Sequence, residues 1–217
     1  MNFDFTPFFE KYESIVKIAD AAFERVKKEY AECVKCKIGC SDCCFALFDL
    51  SLIEALYINY HFKKKIYGKE REEILDVSNK IDRQLYKIKK EAYIDLRDGI
   101  ADESKIIERL GNERVRCPLL DNENKCILYE FRPITCRFYG IPAAIDGRGV
   151  TCGMSGFEAG KNYPTVYVDI IQKKLFQISI ELLNDIKSEN LQAAEILIPL
   201  SMAILNDYDE NYFGVKK

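Results

Sequence analysis

Nine cysteines, arranged in two groups, are the feature that most constrains this chain of 217 residues. Five of them fall within twelve residues, and the other four are spread over a later segment. No recognisable export signal opens the chain, and nine is an odd number, so metal binding or redox chemistry is favoured over a disulfide framework. The first group is Cys33, Cys36, Cys40, Cys43 and Cys44; the second is Cys117, Cys126, Cys136 and Cys152.

The spacing inside the first group is typical of metal sites. Two residues separate Cys33 from Cys36, and two separate Cys40 from Cys43, which lets a tight turn bring both sulfurs to one metal. The second group lies far along the chain, so it joins the first only if the fold brings them together. Thiolates are soft ligands that favour Zn(II), Cu(I) or an iron–sulfur cluster over Mg or Ca.

The order of these motifs resembles a known family. The motifs are Cys40-x2-Cys43-Cys44 with Cys36 upstream, Cys117-Pro-Leu-Leu, Cys126-x2-Tyr129 and Arg132-Pro133-x2-Cys136-Arg137. Together they resemble the bacterial and archaeal CxxCxxCC cluster family, also called YkgJ-like and described as zinc- or iron-chelating. The resemblance covers roughly residues 33 to 152. It implies a metal-binding protein that holds zinc or an iron–sulfur cluster, of which 4Fe-4S is one form.

Two alternative functions stay open beside metal binding. Flagellin lysine N-methylase carries a related cluster, which implies a metal-centre-assisted protein-lysine N-methyltransferase that uses S-adenosylmethionine. The chain lacks the glycine-rich turn after a strand that is typical of a Rossmann-type S-adenosylmethionine pocket, and no catalytic residue is predicted. An electron carrier or redox sensor is the third interpretation.

The expected metal ligands are eight thiols, more than one tetrahedral zinc uses, which favours an iron–sulfur cluster or a polynuclear site. The family name implies two residues between its first two cysteines, whereas Cys36 and Cys40 enclose three. Either Cys36 fills the first position across a bulge, or Cys33 shares it; a buried, inert Cys33 is the third reading. Arg132 and Arg137 are expected beside the cofactor, where their charge would offset the thiolates. The eight ligands are Cys36, Cys40, Cys43, Cys44, Cys117, Cys126, Cys136 and Cys152.

Helical periodicity dominates the rest of the chain and predicts a mainly α fold. Between residues 112 and 162, prolines, glycines and the turn dipeptide Asp146-Gly147 predict a small irregular or β-hairpin-bearing insertion rich in cysteine. We expect one domain over residues 1–217, with a cysteine-rich lobe formed by 33–44 and 112–162. The predicted helices run from Thr6 to about Ala31, from a capping box at Ser51 and Glu54 to about Phe62, from Glu70 to Leu96, from Ser104 to Leu110, along a stripe from Val168 to Ile186, and from Ala193 to Leu205.

Charge and hydropathy limit the classes of partner that the chain is expected to have. The 32 basic and 35 acidic residues are interspersed, so no basic field predicts nucleic-acid binding. No stretch approaches the ~20 apolar residues of a membrane span, and a cytoplasmic location is expected. His61 is the only histidine, which argues against His-rich zinc sites and imidazole-based triads. A metal ion or cluster is the expected partner; a protein substrate or partner is left unidentified.

Overall fold

In the computed structural model of the protein, which describes residues 3–37 and 39–215, helices predominate and the strands are short. The predicted mainly α class with small strand elements is confirmed. The single domain over 1–217 stays a prediction, and residues 1, 2, 38, 216 and 217 lie outside the described part. The helices are α1 (Thr6–Glu29), α2 (Leu52–Lys65), α3 (Gly68–Arg97), α4 (Glu103–Asn112), α5 (Ile134–Phe138), α6 (Val168–Asp185), α7 (Leu200–Leu205) and α8 (Glu210–Phe213). The strands are β1 (Asp49–Leu50), β2 (Ala143–Ile145), β3 (Arg148–Val150), β4 (Val166–Tyr167) and β5 (Ile198–Pro199).

Helix α2 is the centre of the hydrophobic core. It opens at the predicted capping box, in which the Ser51 hydroxyl and the Glu54 carboxylate each serve a backbone N–H of the first turn. Every residue from Leu52 to Asn59 is buried, because α1, α6 and α7 pack around this helix. Because its first eight residues are all buried, this end of α2 is held chiefly by tertiary packing.

Helices α3 and α4 form an outer layer. The thirty residues of α3 pack along α7, and only Ser78, Leu85 and Ala92 of this helix are buried. Helix α4 contacts α3 and is capped by Asp102, whose carboxylate accepts a hydrogen bond from the Lys105 N–H at 2.9 Å. None of the helices in residues 3–37 and 39–215 combines the length and apolarity that crossing a bilayer needs.

The predicted last helix from Ala193 to Leu205 is wrong as a continuous element. The chain makes a 3-10 turn over Leu191–Glu195, then an extended segment at β5, and α7 begins only at Leu200. Pro199 explains the break, because proline lacks an N–H and disfavours helical geometry in the residue before it. The extended segment pairs antiparallel with β1, with Leu50 opposite Ile198.

The cysteine-rich insertion contains the predicted hairpin. Strands β2 and β3 pair antiparallel around Asp146 and Gly147, whose φ angles of 47° and 73° are those of a type I′ turn. Strand β4 adds to β2 in parallel and continues directly into α6. The insertion is thereby anchored to a helix of the core.

Candidate metal centre

The two cysteine groups are joined by main-chain hydrogen bonds. The N–H of Cys117 donates to the carbonyl of Cys44 at 2.6 Å, and the N–H of Val115 donates to the carbonyl of Phe45 at 3.0 Å. An antiparallel bridge one step further extends this pairing. The short ladder holds the start of the second group against the end of the first.

Cys126 is held by a second antiparallel pairing. It lies opposite Leu120 in an isolated bridge, and the next residue, Ile127, donates its N–H to the carbonyl of Leu119 at 2.9 Å. The turn between these segments is closed by Asp121, whose carboxylate accepts two backbone N–H groups at 2.8 Å. Cys126 is therefore folded back toward Cys117.

Cys136 is carried by α5, and Glu54 fixes that helix in place. One oxygen of the Glu54 carboxylate accepts from the N–H and hydroxyl of Ser51 at 3.0 and 2.8 Å, and the other accepts from the N–H of Ile134 at 3.0 Å. Glu54 is only 6% exposed, and this burial raises its pKa, an effect that the hydrogen bonds from Ser51 and Ile134 oppose. One buried carboxylate thus links the start of α2 to the start of α5, two residues before Cys136.

All eight cysteines expected to bind metal line one cavity of about 1130 Å³. Cys33 does not line it: this residue is buried, its thiol lies 3.7 Å from a carboxylate oxygen of Glu32, and its carbonyl accepts the N–H of Gly156. Of the readings left open for Cys33, the structure favours packing. The ligand roles stay predictions, but the structure brings their side chains to a common space.

Five of the eight thiols form what we call the inner group: Cys43, Cys44, Cys117, Cys126 and Cys136. Side-chain interactions between the sulfurs link Cys136 to Cys43, Cys43 to Cys44, and Cys44 to Cys117. These interactions lower the pKa values of Cys43 and Cys117 and raise those of Cys44 and Cys136. Burial, with a smaller contribution from Cys117, raises the pKa of Cys126 to about 12. Three chain positions therefore share one network of four thiols, and Cys126 faces the charge of Cys117.

The remaining three thiols, Cys36, Cys40 and Cys152, form the outer group. Burial raises the pKa of Cys36 to about 11, and the charges of Cys40, Cys152 and Cys43 add to the effect. The Sγ of Cys152 lies 3.4 Å from Oδ2 of Asp42, and this contact also contributes to its raised pKa, after burial. Asp42 was not predicted as a site residue. Its position beside Cys43 is the only sequence signal for it.

The two arginines differ in what they face. Arg137 is 5% exposed, and its guanidinium donates to a carboxylate oxygen of Asp20 at 2.7 Å and to the carbonyls of Glu130 and Arg132 at 2.6 and 2.9 Å. Arg132 lies over the ring of Tyr129, 3.9 Å from its centroid, and reaches the other carboxylate oxygen of Asp20 only at 3.9 Å. The structure favours Arg132 over Arg137 as the charge beside the thiols, and both cofactor roles stay predictions. The positive charge of Arg132 favours the thiolate forms of Cys36, Cys43 and Cys126.

The donor set fits a soft metal centre by its chemistry. Among residues 3–37 and 39–215, no three His, Cys, Asp or Glu side chains already stand in a metal-holding arrangement. Four of the inner thiols instead interact with one another, and a metal would replace thiol protons, because the thiolate is the ligand. Eight sulfur donors around one cavity match the ligand preferences of zinc and iron–sulfur centres.

The order of the cysteines matches a family model over residues 32–153, more than half of the chain. The model is CxxCxxCC, described as "Putative zinc- or iron-chelating domain". The chain belongs to the CxxCxxCC family. All cavity-lining cysteines fall within the matched residues. The predicted family and a metal-binding role are confirmed. The description of the CxxCxxCC domain covers both zinc and iron. No curated protein and no solved structure matches the chain.

Proposed function

We propose that this CxxCxxCC protein holds an iron–sulfur cluster through its inner group, with zinc as the competing occupant. The supporting observation is that eight thiols line one cavity and that four of them, Cys43, Cys44, Cys117 and Cys136, interact directly with one another; this is more thiols than one tetrahedral zinc uses. Four cysteine thiolates are the usual ligands of a 4Fe-4S cluster. The fifth thiol then serves as a hydrogen-bond donor to the ligands.

The chain's own residues organise this centre from three directions. The ladder beside Cys44 positions Cys117, and Glu54 positions α5 with Cys136. The guanidinium of Arg132 offsets part of the negative charge that the thiolates would impose. A bound cluster would supply covalent ties between segments that only short hydrogen-bonded pairings otherwise join, so metal-binding energy becomes folding energy for the cysteine-rich insertion.

The alternative functions have no supporting observation in the described residues. A Rossmann-type pocket for S-adenosylmethionine needs a parallel sheet and a glycine-rich turn between strand and helix. Here β4 continues into α6 with no residue between them, and its sheet has three strands. An electron carrier would need a centre that changes oxidation state. Voltammetry would detect such a change in an iron–sulfur cluster and none in zinc, because Zn(II) has no redox chemistry.

Elemental analysis tests the proposal. The full chain is purified without oxygen or chelator and assayed for iron, zinc and acid-labile sulfide, together with its visible absorption spectrum. Four irons and four sulfides per chain are expected. Cys126→Ser is expected to lose the cluster, whereas Cys33→Ala, a cysteine outside the cavity, is the matched control that keeps it. If the analysis finds one zinc per chain and no sulfide, the centre is a zinc site and not an iron–sulfur cluster. A chain without any metal would overturn the proposal.

A further inference from the structure

The cysteine cavity extends well beyond the thiols. Its volume of about 1130 Å³ is that of a pocket for a small organic molecule, since such pockets measure about 300–1,000 Å³ and have mostly apolar walls. A metal centre leaves much of this space unfilled, because its sulfur ligands close around it at about 2.3 Å from each metal. The part that carries no metal donor, which we call the apolar end, is lined by Leu47, Phe48, Ile58, Ile81, Leu85 and Leu200.

One wall of the apolar end is continuous with the thiols. Leu47 and Phe48 follow Cys44 by three and four residues. Strands β1 and β5 pair antiparallel with Leu50 opposite Ile198, so Phe48 and Leu200 occupy the next opposing positions beyond the two pairs of this ladder. The segment that leaves the inner group therefore leads directly to two apolar side chains that line the same cavity.

Helix α3 closes the opposite wall and is fixed there by two polar contacts. The hydroxyl of Ser201 donates to Oδ1 of Asp82 at 3.1 Å, and Nζ of Lys89 donates to both carboxylate oxygens of Asp49 at 2.7 and 2.5 Å. Asp82 and Lys89 are two helical turns apart, and Leu85 lies between them on the same side of the helix. These polar side chains bind one another, and the side chain between them offers only apolar contacts.

The charges at the thiol end argue against a charged ligand. Within residues 3–37 and 39–215, four carboxylates line the cavity, and each is paired with a cation, so a cationic ligand would have to displace an existing partner. An anionic ligand would instead be repelled by the thiolates of an occupied centre. The four pairs are Asp20 with Arg137, Glu24 with Lys27, Asp42 with Arg114, and Glu130 with Lys65.

We propose that the apolar end binds the aliphatic chain of an uncharged organic molecule whose polar end faces the thiols. The cavity suits an elongated ligand, because its lining runs from Asp20 on α1 past the cysteines to Ser201 on α7. The inference rests on the proposed function only in taking the thiol end as the place of the metal centre. It assigns to that centre a neighbouring ligand, which the cysteines alone do not.

Calorimetric titration with decan-1-ol tests the ligand class on the unmodified full chain, purified without oxygen or chelator. One molecule per chain is expected to bind with a negative heat-capacity change, the mark of apolar burial. Each buried methylene contributes about fourfold in affinity, so octan-1-ol is expected to bind about 16-fold more weakly. No binding of decan-1-ol, or equal affinity for both alcohols, would overturn the inference. Tighter binding of decanoate or decylamine than of decan-1-ol would overturn the uncharged class.

Variants that fill the apolar end locate the binding. Ile81→Trp is expected to weaken decan-1-ol binding at least tenfold, because the larger side chain occupies the space of the ligand. The control Val77→Trp lies one turn earlier on α3, at a residue that is 41% exposed and outside the cavity lining, and is expected to bind as the unmodified chain does. Leu200→Trp makes the same change from the opposite wall. Affinities equal to that of the control would refute the inference, and so would failure of both filling variants to fold, since the space would then not exist.

The two proposals fail in different ways, because iron, zinc and sulfide are measured on the same samples. A chain that holds the cluster but binds no alcohol would leave the proposed function standing without this ligand. A chain with zinc, or with no metal, that binds decan-1-ol and loses it in Ile81→Trp would keep the apolar site and overturn the cluster. Both filling variants are expected to retain the metal content of the unmodified chain.

Discussion

Replacing Gly140 by alanine tests the packing around the outer thiols. A Cβ at this buried position would stand 2.1 Å from Sγ of Cys36, whereas non-bonded heavy atoms prefer about 3.5–4.0 Å. The thiol has to swing away into the cavity that it lines, and holding it off its preferred rotamer costs about 0.5–1.5 kcal/mol. We therefore expect Gly140→Ala to lower the free energy of unfolding by that amount and to weaken metal binding that depends on Cys36.

The size of the effect is isolated by a matched control and a double-mutant cycle. Gly149→Ala makes the same change in exposed β3, where no atom lies within 4 Å of the new Cβ, so both variants share the chain-entropy term of a glycine replacement. With Cys36→Ala, the nearest remaining atom is the Cβ of residue 36 at 3.5 Å, an ordinary contact. The cost of Gly140→Ala should then vanish.

Urea unfolding of the reduced, metal-free chain measures these differences. The reasoning is refuted if Gly140→Ala is as stable as Gly149→Ala. It is also refuted if the cost of Gly140→Ala persists unchanged in the Cys36→Ala background, since the thiol would then not be its cause.

Three further outcomes are expected. Glu54→Ala should cost about 2–6 kcal/mol in urea unfolding, because the buried N–H of Ile134 and the part-buried N–H of Ser51 lose their acceptor at about 1–3 kcal/mol each; a cost below about 1 kcal/mol would contradict this. Burial raises the pKa of Glu54 above 4.5, so just above that pH the folded chain binds more protons than the unfolded chain. The free energy of unfolding should therefore fall as the pH rises from there. Replacing the carboxyl in Glu54→Gln should flatten this pH dependence. Chelation of the metal should speed amide hydrogen exchange in residues 114–127 and leave α2 protected; uniform exchange in both would argue against a local metal staple.

The long helices could be predicted because their apolar residues recur at helical spacing. The capping box at Ser51 gave the start of α2, and α3 extends two residues before and one after its predicted bounds. Helix α5 could not be predicted in this way, since its five residues are too short to show a period. At Pro199 the periodic pattern predicted a helix that does not form. The apolar residues continue at helical spacing past Pro199, but proline interrupts the helical backbone.

The sequence predicted which cysteines line the candidate site, but not which residues each of them contacts. Cysteine spacing identified eight thiols that line one cavity, and it left Cys33 open because Cys33 has the same two-residue spacing to Cys36. The close approach of Gly156, whose Cβ would lie 3.2 Å from Cα of Cys33, depends on tertiary packing. The contacts of Asp42 and Glu54 likewise join residues far apart in the chain, and such pairings leave no local signal.

The adjacent Cys43 and Cys44 contact different parts of the second cysteine group. Consecutive side chains diverge, and here Cys43 interacts with Cys136 on α5, whereas Cys44 interacts with Cys117 at the ladder. A centre that engages both would tie the first cysteine group to two separate parts of the second. Those parts are otherwise positioned by the Glu54 carboxylate and by a few main-chain hydrogen bonds. Metal binding would therefore act on the relative position of α5 and the ladder rather than on the core around α2.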